Sequence, residues 1–359
     1  MIYRAIGLMS GSSLDGLDIV FTEFHETSGK WTFSIEAADC YPYNNEWSDR
    51  LRNATSLSAR DYLLLHSDYG HFLGQQVNRF ISENGLDFKV GLIASHGHTV
   101  FHLPAQKMTS QLGDGAAIAA ETGLPVVSDL RALDVAFGGQ GAPIVPIGER
   151  LLFPDYSLFL NIGGIANISF HEADKVIAFD VCPANRVLNL LAADAGKEFD
   201  EDGAMAATGK VHEQLLQKLN APEYYKRPYP KSLANSFGTD EIYPMIRKEG
   251  LTTPDALRTY VEHIVMQLQS AVQGRGPGKL LVTGGGAFNK FLVNRLNEVF
   301  NPIEIEVVVP EDAVVKYKEA LIMALIGVLR WRQEYNVLSS VTGASRDSIG
   351  GALWNGQEA

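Results

Sequence analysis

Cysteine is scarce: Cys40 and Cys182 are the two in 359 residues. They make no disulfide framework, and a chain this long needs none, which fits a reducing compartment. No basic run stands out against a formal net charge of −12, so nothing invites nucleic acid. No stretch of about 18 uncharged apolar residues occurs, and no membrane span is expected. The opening Met1–Gly7 lacks the apolar core and cleavage site of a secretory leader, so a cytoplasmic protein is expected. Low-complexity linkers and obvious short repeats are missing too. So is a G-x-x-x-x-G-K-[ST] phosphate loop, and the glycines near residue 284 lack the G-x-G-x-x-G dinucleotide spacing.

What is present is 46% hydrophobic, with 34 glycines, in short apolar strands alternating with helical patterns. Tyr3–Leu8, Leu17–Thr22 and Trp31–Ala38 read as three strands joined by turns. Over 59–84, Leu65, Tyr69, Phe72, Leu73, Val77 and Phe80 fall on one helical face. Gly115–Thr122 reads as a helix that Gly123 stops, between strands at 90–94 and 126–128. After Gly138-Gly-Gln-Gly-Ala-Pro143 the pattern starts again, with strands at 156–160, 167–170 and 176–179. Helices follow at 185–195, 209–220 and 255–272, then strand, helix, strand and a long helix over 316–335. This weak duplication predicts an α/β protein of two related lobes with a ligand cleft between them. The lobes are expected at 1–140 and 141–335, with 336–359 packing back on the first.

Six segments carry candidate chemistry. Gly11, Ser12, Ser13, Leu14, Asp15, Gly16, Leu17 and Asp18 form a Gly/Ser turn after the first strand. Exposed N–H groups and hydroxyls there can hold a triphosphate, with Asp15 reaching Mg²⁺ through water; an ordinary hairpin turn is the plain alternative. Asn161-Ile-Gly-Gly164 is a second such turn, built on Asn161, Gly163 and Gly164. Gly284, Gly285 and Gly286 follow a strand and permit close approach of a flat ring or a phosphate. Asp180 stands at a strand end before a proline-marked turn, as a general base would, or as a helix-terminal acid. Cys182 beside it has nothing nearby to lower its pKa. His96, His98 and His102 match no structural zinc spacing; sugar contacts or core positions suit them better. Arg131 suits a carboxylate, or a surface salt bridge.

Taken in order, Met9-Ser-Gly-Ser-Ser-Leu-Asp-Gly16, Ser95-His-Gly97, Gln111-Leu-Gly-Asp-Gly115, Gly138–Pro143, Asn161–Asn167 and Val341-Thr-Gly-Ala344 resemble the anhydro-N-acetylmuramic acid kinase family along essentially the whole chain. The resemblance implies the two-lobed sugar kinase/Hsp70/actin (ribonuclease H-like) fold, with a mixed five-stranded sheet and flanking helices in each lobe. It implies ATP and Mg²⁺, a small anhydro-sugar substrate, a homodimer, and cell-wall sugar recycling in a bacterial cytoplasm. Water would open the 1,6-anhydro bridge while the freed O6 takes the γ-phosphoryl group. By resemblance Asp180 activates that water, Gly11–Asp18 is the ATP loop, and Arg131 and Glu319 are sugar-side contacts; His96 and Gly97 are expected on the substrate side as well.

The sequence departs from the family pattern at Val181, Cys182 and Ala184, and Asn189 stands where an aspartate is common. Ser12 replaces the usual threonine, and Ala234 the usual glycine. These departures bear on the pocket and leave a related sugar such as levoglucosan as an alternative. A non-catalytic ATP-driven machine of the same superfamily is the alternative in another class. A sugar-sensing repressor would need a helix-turn-helix before the first strand, where no room is expected.

Overall fold

A computed structural model describes residues 1–11, 14–172, 175–229, 231–234 and 236–356. It divides into two compact units, Met1–Pro154 with Tyr317–Ala359, and Asp155–Lys316. The first junction lies later than the expected 140/141. The second falls inside the helix Asp312–Trp331, well before the expected 335/336. Packing explains both shifts. Gly148 sits so close to Ile322 that the helix Pro146–Leu152 stays with the first unit. Ala320 approaches Gly7 so closely that any side chain on Gly7 would strike its backbone.

The first unit opens with an antiparallel meander of β1 (Ile2–Ser10), β2 (Gly16–Thr27) and β3 (Lys30–Pro42). β4 (Leu92–Ser95) lies parallel to β1. A separate hairpin of β5 (His98–Leu103) and β6 (Met108–Leu112) follows, then β7 (Val126–Ser128), parallel to β4. Ala5, Ile6, Gly7 and Leu8 of β1 are all buried, because this strand is covered on both faces. β3, at the sheet edge, alternates. The helix Ala59–Glu83 is capped by Ser58, whose hydroxyl accepts from the Asp61 N–H, and buries Leu65, Tyr69, Leu73, Val77 and Phe80. Its Gly70 and Gly74 admit the neighbouring helix Gly115–Thr122, which ends at a left-handed Gly123.

The second unit repeats the order of strands. β8 (Leu158–Ile162), β9 (Ile165–His171) and β10 (Val176–Pro183) form the meander. β11 (Gly278–Thr283) lies parallel to β8, and β12 (Ile305–Val308) parallel to β11. The order β10-β9-β8-β11-β12 matches β3-β2-β1-β4-β7 of the first unit. The helix Thr253–Val272 turns Val261, Ile264, Val265, Leu268 and Val272 inward, as its sequence spacing predicts. The helix expected over 209–220 starts only at Glu213, since Gly209 is wedged against the backbone of Pro254.

The first sheet has six strands rather than five. β13 (Ala352–Trp354) adds to β7 in antiparallel register, and the Trp354 indole N–H donates to the Ser128 hydroxyl at 3.0 Å. A three-residue strand carries too little periodic signal to be read from sequence.

Candidate functional site

In the first unit the turn between β1 and β2 carries a cluster of acids. Gly16 must lack a side chain, because a Cβ there would stand 2.7 Å from the Cys40 sulfur and from the Tyr41 carbonyl oxygen. Leu14 is held at φ 59°, an uncommon conformation for leucine, next to an exposed Asp15 that accepts from the Gly16 N–H at 3.0 Å. Asp18 lies on β2 opposite Cys40, whose thiol donates to it. Burial, with Asp15 and Glu319 nearby, pushes the Asp18 pKa up to about 6 despite that thiol. Ser12 and Ser13 lie outside the described residues. Leu17 is a correction to the reading of this loop: its side chain is core, so only its backbone could take part in binding.

Arg131 is set by a relay of buried groups, also within the first unit. His96 Nδ1 donates to the Gly97 carbonyl at 2.9 Å, so its Nε2 is left to accept from Arg131 Nε at 2.8 Å. The ring is neutral; burial and the adjacent guanidinium push its pKa down to about 3. Arg131 Nη1 donates to the Gly141 carbonyl at 2.6 Å. Gly141 N–H donates to Asp134 Oδ2, and the Thr342 hydroxyl to Asp134 Oδ1, both at 2.7 Å. Asp134 is fully buried. Arg131 is therefore an oriented, partly buried cation, not a surface salt bridge. Its Nη2 makes no hydrogen bond among the described residues. Glu319 is its electrostatic neighbour, with a pKa raised by burial against the pull of Lys318 and Arg131.

The other two histidines also spend a nitrogen on protein partners: His98 on Ser10 and His102 on Thr109. Gly97, expected as a sugar contact, sits at φ 69° against the Leu112 carbonyl and has a packing role.

In the second unit a polar row crosses the sheet. Thr283, Asn161, Asn167 and Asp180 are register partners on β11, β8, β9 and β10, so they share a face. A β-bulge between Asp180 and Cys182 ends this regularity. Asp180 Oδ2 accepts from the Leu233 N–H at 2.9 Å, and its own carbonyl accepts from the Tyr224 hydroxyl at 2.6 Å. Oδ1 makes no hydrogen bond among the described residues. Burial raises the Asp180 pKa, opposed by the Leu233 N–H. Asp180 is a strand residue, not a helix-terminal acid: the helix Asn185–Ala193 begins beyond it, with Ala184 at its cap. Cys182 is fully buried with its pKa raised, which makes an inert thiol.

The Gly163–Gly164 turn and the glycine triplet meet at Asn185. Its Nδ2 donates to the Ile162 carbonyl at 3.0 Å, and its N–H to the Gly163 carbonyl at 3.0 Å. Gly284, at φ 80°, and Gly286 press against Asn161 and Ile162, so two of the three glycines serve packing. Among the described residues, a side chain on Gly285 would meet only Asn185, at 3.5 Å. Sequence reasoning assigned no site role to Asn185, Thr283, Asp134 or Thr342; the Val341–Ala344 motif was the one available signal for the last.

The family model for anhydro-N-acetylmuramic acid kinase matches residues 3–356. The chain belongs to that family. The anhydro-N-acetylmuramic acid kinase of Aliivibrio fischeri is 37% identical over 82% of this chain and 83% of its own. That of Shewanella sediminis is 34% identical over 97% and 98%. Among solved structures, the activator of the 2-hydroxyisocaproyl-CoA dehydratase from Clostridium difficile aligns with 92% of this chain and 96% of its own, at a TM-score of 0.48 and 14% identity. The anhydro-N-acetylmuramic acid kinase family is one of enzymes, and the matches favour neither a levoglucosan kinase nor a non-catalytic ATP-driven machine. Among the described residues, no helix is long and apolar enough to cross a membrane.

Proposed function

We propose that the protein uses ATP and water to convert anhydro-N-acetylmuramic acid into N-acetylmuramate 6-phosphate and ADP, in the recycling of cell-wall sugar. Asp180 carries this reading. One of its oxygens is anchored by a backbone N–H, the other is unengaged among the described residues, and burial has raised its basicity. Asp180 takes a proton as water oxygen bonds to C1 and the C1–O6 bond breaks. O6 then bonds to the γ-phosphorus as the link from that phosphorus to the β–γ bridging oxygen breaks, leaving ADP. The turns at Gly11–Asp18 and Asn161–Gly164 hold phosphates, and Gly284–Gly286 the adenosine side. Arg131, oriented by the buried His96, and Glu319 serve the sugar.

Asp15 and Asp18 suit Mg²⁺ held through water: burial, and then two neighbouring carboxylates, disfavour the ionised Asp18, and a cation would offset that cost. Bound there, Mg²⁺ neutralises charge on the transferring phosphoryl group. We extend the reading to a homodimer in the cytoplasm; two free cysteines, one fully buried, support a reducing compartment.

Asp180→Asn should keep ATP affinity while kcat falls by roughly 10²–10⁴, the usual worth of a positioned base. In the parent enzyme kcat should decline as pH falls, with the acid limb above the ordinary carboxylate range, because the base must be ionised. Turnover in ¹⁸O-water should place label on the anomeric hydroxyl, with the product trapped early by reduction and compared with unlabelled product soaked in the same water. Label in the phosphate ester would overturn the mechanism.

A further inference from the structure

The second residue of the helix Asn185–Ala193 is an arginine whose Nε has no partner among the described residues. Arg186 lies over the glycine turn of β8 and β9. Its N–H donates to the Gly164 carbonyl at 3.4 Å. A side chain built on Gly164 would stand 3.5 Å from Arg186 Nε and 3.7 Å from Nη2, so the guanidinium covers that glycine. Arg186 Nε is buried without a hydrogen-bond partner among the described residues. None of the described carboxylates pairs with it.

Other arginines of the same unit are treated differently. Arg258 also has a buried, unpartnered Nε, but its Nη2 pairs with Glu262 at 3.2 Å and its guanidinium lies over Phe291. Arg295 holds Glu262 at 2.7 Å, and Arg275 pairs with Glu172. Leaving a buried donor unmade is costly. Such a cost is tolerated where a ligand supplies the missing acceptor.

We propose that Arg186 is a phosphate-binding residue, its guanidinium taking an oxygen of the nucleotide's β- or γ-phosphate above the Gly163–Gly164 turn. The planar fork of donors matches a phosphate better than a point charge would. The assignment rests on reading that turn as a nucleotide phosphate site. The carboxylate of the sugar is the other oxyanion the reaction offers, and the test separates the two.

Full-length Arg186→Met and Arg186→Gln proteins would be titrated with magnesium-ATP and magnesium-ADP by calorimetry, melted without ligand, and assayed for the KM of the anhydro-sugar. Both variants should melt at or above the parent temperature, since a buried donor with no partner among the described residues has gone. Both should bind magnesium-ATP about 10- to 100-fold more weakly, the usual worth of a charge-assisted hydrogen bond. A matching loss for ADP assigns the β-phosphate; a loss confined to ATP assigns the γ-phosphate. Parent-like nucleotide affinity in the variants overturns the assignment alone, whether the sugar KM rises or nothing changes. Variants that fail to fold, or melt lower with nucleotide affinity intact, overturn it in favour of a structural arginine. A parent protein that binds no magnesium-ATP overturns the nucleotide reading of the turn, and the assignment with it.

Discussion

Asp18 shows how a single carboxylate can work against folding and still be kept. Its folded pKa, about 6, lies above the ordinary aspartate value, so the folded protein holds that proton more tightly than the unfolded chain does. Its stabilising contribution is present below the unfolded pKa and lost as pH rises through about 6. Asp18→Asn should therefore melt at a higher temperature than the parent at about pH 7.5, while losing activity. Magnesium-ATP should favour the ionised carboxylate, so calorimetry at about pH 6 in buffers of different ionisation enthalpy should show release of about half a proton per site. Zero release would place the cation away from Asp18. None of this was readable in advance. The motif named Asp18, but its acid neighbour Glu319 is three hundred residues away in the chain and the Cys40 thiol sits on a different strand.

At the scale of elements, the C-terminal Thr342 matters because it reaches Asp134, which holds Gly141, which holds Arg131. Thr342→Val would leave one oxygen of a fully buried carboxylate without its donor, a cost of about 1–3 kcal/mol. We expect a lower melting temperature and a kcat/KM for the sugar reduced about 10- to 100-fold through misplacement of Arg131, with ATP affinity unchanged. A lower melting temperature with parent-like sugar kinetics would make the relay purely structural. Long elements were legible from sequence because they repeat their apolar spacing many times: the helices at Ala59–Glu83 and Thr253–Val272 and the meander strands lie where the pattern put them. Short ones were not. β13 spans three residues, and the hairpin of β5 and β6 shows in the sequence only as a row of histidines and glycines.

For the whole molecule, the proposed homodimer is tested by light scattering, which should report twice the 39.2 kDa chain mass; 39.2 kDa itself would sink it. The sequence by itself determined the α/β class, the duplicated strand order and the family, because these rest on local periodicity and on motifs whose residues are neighbours in the chain. It also supplied Asp180 and the glycine turns, as residue types at turns and strand ends. The tertiary structure decided where those residues sit and what they touch. It returned the chain end to the first sheet through β13 and put Tyr317 onward with the first unit, because Gly7 and Gly327 let that helix lie directly on β1 and β4. It separated Leu17 and Gly97, which pack, from Asp18 and Arg131, which carry charge. It also left Arg186 without a described partner. Each of these depends on contacts between residues far apart in sequence, and no local pattern encodes burial or the loss of a partner.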